Sequence, residues 1–382
     1  MVLNYSSLMM KLLYLTPMPY FLAALVDNKS LYIIKDIIIL GIFILLFFRP
    51  YPKIIYAVIS VFMAINIYAL SFSYNDILFY ILSVREFLFY PLFGILLGYY
   101  LSKCDRFEEY FFNFLMITFS LTVLYLVLFP YDSFGSTLRL KSFWDREHEP
   151  AIIAGVMFIW TMYSDKSKKF KAIVLPLSIV VMLLSASRSV LLGVFVVFFL
   201  INIRKLNVFK LTLMVLIFFM GFTFFSQLSI SERGLDHNLG ARTSQYSLAL
   251  SNFENNNFLG LGTDKYGVVG NIKKQYCYQG HCTTTMDSTL IKYSINYGLI
   301  FLIPFIVFLG LLLLYYIYLK TDLNKKIFGT IVFGLIIGAL TGKLGAYPLN
   351  IIFYMTIGIF IYHLNLVNIN RKRNNEKNTI YS

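Results

Sequence analysis

The chain has 382 residues, of which 58% are hydrophobic and 14% charged, and its formal charge is +14. A soluble domain carries roughly 25% charged residues, so this composition, with a mean hydropathy of +0.71, excludes an ordinary water-soluble globule. The cations are scattered over many short connectors instead of gathered on one face, which argues against a nucleic-acid partner.

Apolar runs long enough to cross a bilayer as helices recur from end to end. About twelve are predicted, near 8–26, 31–48, 54–72, 84–101, 111–129, 150–163, 172–187, 189–203, 208–226, 289–319, 327–342 and 349–365. The expected fold is therefore an all-α integral membrane protein, a single polytopic domain over 1–382. Pro17 and Pro19 interrupt the first run, which predicts a kinked helix and not a cleavable signal. The sixth, seventh and eighth runs are short for a span.

Orientation follows from the connectors. Those bearing Arg49 and Lys53, Lys103 and Arg106, Lys166 to Lys171, Arg204 to Lys210 and Lys320 to Lys326 alternate with connectors poorer in Lys and Arg. The tail at 366–382 adds Arg371, Lys372, Arg373 and Lys377. Placing all of these in the cytoplasm puts both termini inside, as the positive-inside rule requires. Residues 130–149, the Arg188 turn, 227–288 and 342–348 then face outward.

The large outward loop at 227–288 is the most informative segment. Tyr246, Leu250 and Phe253 predict a short amphipathic helix over Ala241 to Glu254, with Arg242 at its start. Gly260-Leu261-Gly262 reads as a turn or a close approach of backbone. Cys277 and Cys282 flank a short turn that an oxidising exterior would allow to pair, with a zinc site through His281 as the weaker rival. Asp287-Ser288 is placed to cap the helix that follows.

Candidate chemistry lies on the same outward side. Arg188, in Ser-Ala-Ser-Arg-Ser, sits between two apolar runs with small neighbours that let another group approach. A snorkelling arginine is the bland alternative. With Arg242 it makes an anion clamp, because guanidinium forks match phosphate oxygens and stay charged. Arg139 and His148 lie in a charged loop before the helix start at Pro150, with Glu149 beside them. Asp287 suits either a helix cap or acceptance of a proton from a sugar hydroxyl. Arg85-Glu86 is most simply an internal ion pair. The sequence shows no P-loop, no GxSxG, no Asp-x-Asp and no metal cluster, so no cofactor and no metal is expected.

Taken together these elements resemble the integral-membrane O-antigen and capsule polymerases of the Wzy type, relatives of the O-antigen ligases. The resemblance covers residues 135–310. It rests on Arg139 leading to Phe143 and Pro150, on Ser187-Arg188, on Arg242 followed by Gly260 and Gly262, and on Asp287-Ser288 followed by Tyr297-Gly298-Leu299. Ligases show His where this chain has Asp287, which favours the polymerases.

The resemblance implies a metal-independent, inverting glycosyltransferase of the inner membrane. It would join undecaprenyl-pyrophosphate-linked oligosaccharides on the periplasmic face, surrounded by membrane lipid, with a chain-length regulator protein as candidate partner. Arg188, Arg242 and Asp287 would be catalytic, while Arg139, His148, Gly260, Gly262 and Ser288 would bind substrate. An O-antigen ligase acting on lipid A-core and a lipid-linked-oligosaccharide flippase are the alternatives. A carrier needs charged groups along a path between both faces, whereas the candidates here share one side.

Overall fold

A computed structural model describes residues 5–70, 84–130, 140, 143, 148–185, 187–203, 260, 267–269, 272–274, 276–278, 281–283, 288–317, 321–341 and 347–380. The described body is helical. It begins with α1 (Tyr5–Leu15) and α2 (Met18–Val26), followed by α3 (Tyr32–Phe47) and α4 (Lys53–Leu70). A π-helical turn at Arg85–Phe89 leads into α5 (Tyr90–Leu101), and α6 (Phe107–Leu128) comes next. The middle of the chain forms α7 (Glu149–Met162), α8 (Lys168–Leu184) and α9 (Arg188–Asn202). Beyond the large loop lie α10 (Thr289–Tyr297), α11 (Leu299–Ile317), α12 (Asp322–Leu340) and α13 (Leu349–Ile380).

Five described stretches are long and apolar enough to cross a membrane: Ser7–Val26, Phe107–Leu128, Leu299–Ile317, Asp322–Leu340 and Leu349–Leu366. Shorter apolar helices occur at Lys53–Tyr68, Tyr90–Leu101, Glu149–Met162 and Arg188–Asn202. The chain is thus a multi-pass membrane protein. The expected span at 208–226 lies outside the described residues.

One expectation needs correction. The run predicted as one helix at 289–319 is two helices, because Gly298 at φ 57°, ψ −143° takes a conformation that few other residues tolerate and separates α10 from α11. The body is helical as expected, and two short hairpins lie within the large loop. Strand β1 (Gly267–Val269) pairs antiparallel with β2 (Ile272–Lys274), and β3 (Tyr276–Tyr278) pairs antiparallel with β4 (His281–Thr283). Valine, isoleucine, tyrosine and threonine favour a pleated ladder. Gly270-Asn271 and Gln279-Gly280 supply two-residue connections of the kind that join hairpin strands. The kink expected at the prolines is present: α1 stops at Leu15, and α2 restarts with Pro17 as its N-cap.

In lipid, the apolar effect does not drive one helix against another, so close packing and polar contacts must hold the bundle. Helix α5 carries Gly94-x-x-x-Gly98 where it meets α13. A Cβ on Gly98 would overlap the Met355 carbonyl, and one on Gly358 would overlap the Ile95 carbonyl. The two backbones touch there. A second knot surrounds Phe333 of α12, whose ring fills the notches left by Gly155 of α7 and Gly193 of α9.

Polar ties cluster at the two ends of the bundle. At one end Lys326 (2% exposed) pairs closely with Glu108, and its ammonium lies 5.7 Å over the Trp160 ring. Trp160 in turn donates Nε1–H to Thr330 Oγ1 at 2.9 Å. Such pairing offsets the cost of burying a charge. The other end gathers the start of α7, the end of α8, the start of α9 and the end of α12. The candidate chemistry sits there. Among the described helices α11 is the most lipid-like, with outward Ile303, Ile306, Val307 and Leu313.

Candidate functional site

Arg188 is the first residue of α9, with Ser187 as its N-cap at φ −92°, ψ 94°. Arg188, half-buried as a residue, therefore begins the helix at the end where unsatisfied backbone N–H groups concentrate positive potential. Charge and dipole add with the same sign, so this position favours an anion.

A second segment is brought against it. The Leu140 amide donates to the Leu184 carbonyl at 3.1 Å. The His148 Nδ1 lies 3.2 Å from the Ser187 Oγ, and Ser187 is 3.3 Å from the Ser189 hydroxyl. His148 also precedes α7, whose first residue, Glu149, is buried at 3% exposure. An acidic first turn complements the dipole of α7. The positive-inside pattern places 130–149 and the Arg188 turn on one side, and the described parts of both meet. Phe143 is buried between α2 and α6, with its ring 5.5 Å from Phe21 and 5.7 Å from Tyr125.

Ser288 is buried and caps α10: its Oγ accepts from the Ile291 amide at 3.3 Å and donates to the Gly338 carbonyl at 3.3 Å. The adjacent Thr289 hydroxyl donates to the Thr341 carbonyl at 3.3 Å. These bonds pin the return from the large loop to the end of α12. Gly260 is buried against the other end of α10, where a Cβ would overlap the Asn296 carbonyl. The close approach read from Gly260 is thus an approach to backbone. Arg139, Arg242, Gly262 and Asp287 lie outside the described residues, as does the helix expected over Ala241 to Glu254. The backbone register sets Cys277 opposite Cys282.

Sequence reading missed a polar cluster around Lys35 and Asp36 of α3. The Lys35 ammonium is 3.0 Å from Asp36 Oδ1 and donates to the Tyr90 hydroxyl at 2.8 Å. Tyr90 donates to the same carboxylate oxygen. Arg85 Nη1 stands 3.5 Å from Asp36 Oδ2, which gives this arginine a partner beyond the expected Glu86. Tyrosine rings enclose the lysine: Tyr347 at 4.9 Å, Tyr90 at 5.1 Å and Tyr20 at 5.3 Å. Tyr347 lies just before α13 and donates its O–H to Thr16 Oγ1 at 2.7 Å. Burial raises that hydroxyl well above the ordinary tyrosine range, so Tyr347 adds no negative charge beside the lysine. The available signal was a Lys-Asp pair inside an apolar run, where ionisable residues are costly.

Over residues 172–306, about a third of the chain, the sequence matches the O-antigen ligase family. No curated protein and no solved structure matches it. The matched stretch holds Arg188, Arg242, Gly260, Gly262, Asp287 and Ser288, while Arg139, His148, Lys35, Asp36, Arg85 and Tyr90 precede it and Tyr347 follows it. Over residues 172–306 the chain is thus similar to the O-antigen ligase family.

Proposed function

We propose that the protein is a surface-polysaccharide polymerase, an O-antigen polymerase that joins undecaprenyl-pyrophosphate-linked oligosaccharide units at the periplasmic face of the inner membrane. The observation that carries this reading is Arg188 at the positive end of α9, braced by His148 and Ser187, within the family-matched stretch.

In this reaction a hydroxyl oxygen of the incoming unit attacks the anomeric carbon of the lipid-linked chain. The bond from that carbon to the pyrophosphate oxygen breaks as the new glycosidic bond forms, so undecaprenyl pyrophosphate leaves with the electron pair. Attack opposite the leaving group inverts the anomeric carbon. Arg188, with Arg242 and Arg139, holds the pyrophosphate and stabilises the charge that grows on it. A donor of that kind contributes roughly 3–4 kcal/mol in the transition state. Asp287 takes the proton of the attacking hydroxyl. The apolar surface of α11 lets a polyprenyl tail reach the protein from lipid, and holding both substrates in place supplies much of the remaining rate.

The test is an assay of purified protein with lipid-linked repeat units extracted from its host. Release of undecaprenyl pyrophosphate together with longer lipid-linked chains supports polymerisation. Release only when lipid A-core is added assigns the protein as a ligase, the runner-up that the family match favours equally. Absence of release under both conditions refutes the enzyme reading.

A further inference from the structure

The Lys35 cluster has a closed side and an open side. On the closed side Lys35 is 4% exposed and held by Tyr90 and by the rings of Tyr20 and Tyr347. On the open side the Asp36 and Arg85 side chains keep 30% and 36% of their surface. Asp36 Oδ1 is fixed by Lys35 and Tyr90, and Oδ2 faces the Arg85 guanidinium. Beside them Tyr20 stacks both on Tyr32, with centroids 4.3 Å apart, and on Tyr347, at 5.2 Å, so these three rings form one aromatic stack at the edge of the cluster. Residues i and i+1 of a helix do not face one another. The long lysine arm bends back to its neighbour, so the cage orients the carboxylate.

A clasp that served only the fold would be replaced at little cost by apolar side chains of similar volume. This one instead presents a fixed acceptor and a fixed donor side by side at the margin of an aromatic wall. That combination matches a sugar ring: neighbouring hydroxyls need one acceptor and one donor, and the C–H face of the ring lies against an aromatic surface. The location agrees. Phe21, next to Tyr20, packs its ring 5.5 Å from Phe143, and the nearby Leu140 amide bonds to Leu184 at the end of α8, just before the start of α9. The cluster and Arg188 therefore share one end of the bundle.

We propose that Asp36 and Arg85, beside the aromatic stack of Tyr20, Tyr32 and Tyr347, form a carbohydrate subsite that binds a sugar of the acceptor unit. Asp36 Oδ2 accepts from one hydroxyl and Arg85 donates to the next. Lys35 and Tyr90 act as positioning residues. The assignment of this sugar as the acceptor rests on the reading of the protein as a glycan-joining enzyme.

The experiment uses full-length protein in detergent and the repeat-unit oligosaccharide of the host, freed from its lipid carrier by mild acid. Saturation-transfer NMR measures binding to wild type, Asp36→Asn, Arg85→Lys and Arg188→Ala. The proposal expects Kd to rise about fivefold or more with Asp36→Asn and about threefold with Arg85→Lys, since each loses an oriented hydrogen bond. Arg188→Ala should bind like wild type, because the freed sugar has no pyrophosphate. Melting temperature and elution volume identify folded variants, and if Asp36→Asn does not fold, Arg85→Lys decides. A folded variant of either residue that binds within twofold of wild type overturns the subsite, as does wild type that binds no oligosaccharide. Those results would leave the polymerase reading standing if Arg188→Ala still abolishes chain growth.

Discussion

The His148 imidazole and the Ser187 hydroxyl meet at 3.2 Å across 39 residues of sequence. Through this contact the segment before α7 braces the first turn of α9, where Arg188 begins. Replacing His148 with alanine removes its hydrogen bond to Ser187, worth about 0.5–1.5 kcal/mol. Chain-growth rate should then fall roughly twofold to tenfold, while the protein elutes and melts as wild type. A loss as large as that of Arg188→Ala would place His148 in direct contact with the reacting groups.

The α5–α13 crossing predicts a sharp size limit. Gly98 has no room for a Cβ beside the Met355 carbonyl. Gly98→Leu should force the helices apart, costing about 3 kcal/mol or more, and should reduce the yield of monodisperse protein in detergent chromatography. Gly41→Leu is the matched control, since nothing lies near its Cβ position. Equal yields from the two variants would contradict the packing described here.

At the opposite end, Lys326 and Glu108 give a charge-pair prediction. Glu108→Ala leaves a nearly buried ammonium without its carboxylate. The cost should fall at or below the lower end of about 3–5 kcal/mol, because Glu108 is 39% exposed. The double variant Glu108→Leu with Lys326→Met should recover most of that loss in thermal unfolding.

Cys277 and Cys282 are direct neighbours across the β3–β4 ladder. Opposed residues of antiparallel strands have Cα separations of about 4.5 or 5.5 Å, and disulfides span roughly 4.4–6.8 Å. Either ladder position thus suits a bridge. Mass spectrometry of protein prepared without reductant should show the 277–282 pair linked. Two alkylatable thiols in protein taken from an oxidising compartment would refute this.

Much of the helical body was legible because the apolar runs and their breakers act locally. Pro17 ends α1 through its own backbone, and Ser288 caps α10 through the Ile291 amide three residues on. The break at Gly298 was visible as a glycine, yet apolar residues continue on both sides and hide it from any measure of hydropathy. The hairpins were missed because three-residue strands barely register as alternation. The Lys35–Asp36 cluster was the costliest omission. Its partners Tyr90 and Tyr347 lie on distant segments, so only the folded chain shows that the two charges inside an apolar run are caged. The meeting of His148 with Ser187 was invisible for the same reason.

Surface glycan from a host lacking the gene, resolved by electrophoresis after complementation, bears most directly on the central claim. Wild type should restore a ladder of repeats. Arg188→Ala, present in the membrane at equal amount, should leave lipid A-core carrying a single unit, a loss on the order of 100-fold or more in chain growth. A full ladder from Arg188→Ala, or single units trapped on the cytoplasmic face in the deletion strain, would contradict the assignment of this site to glycan polymerisation.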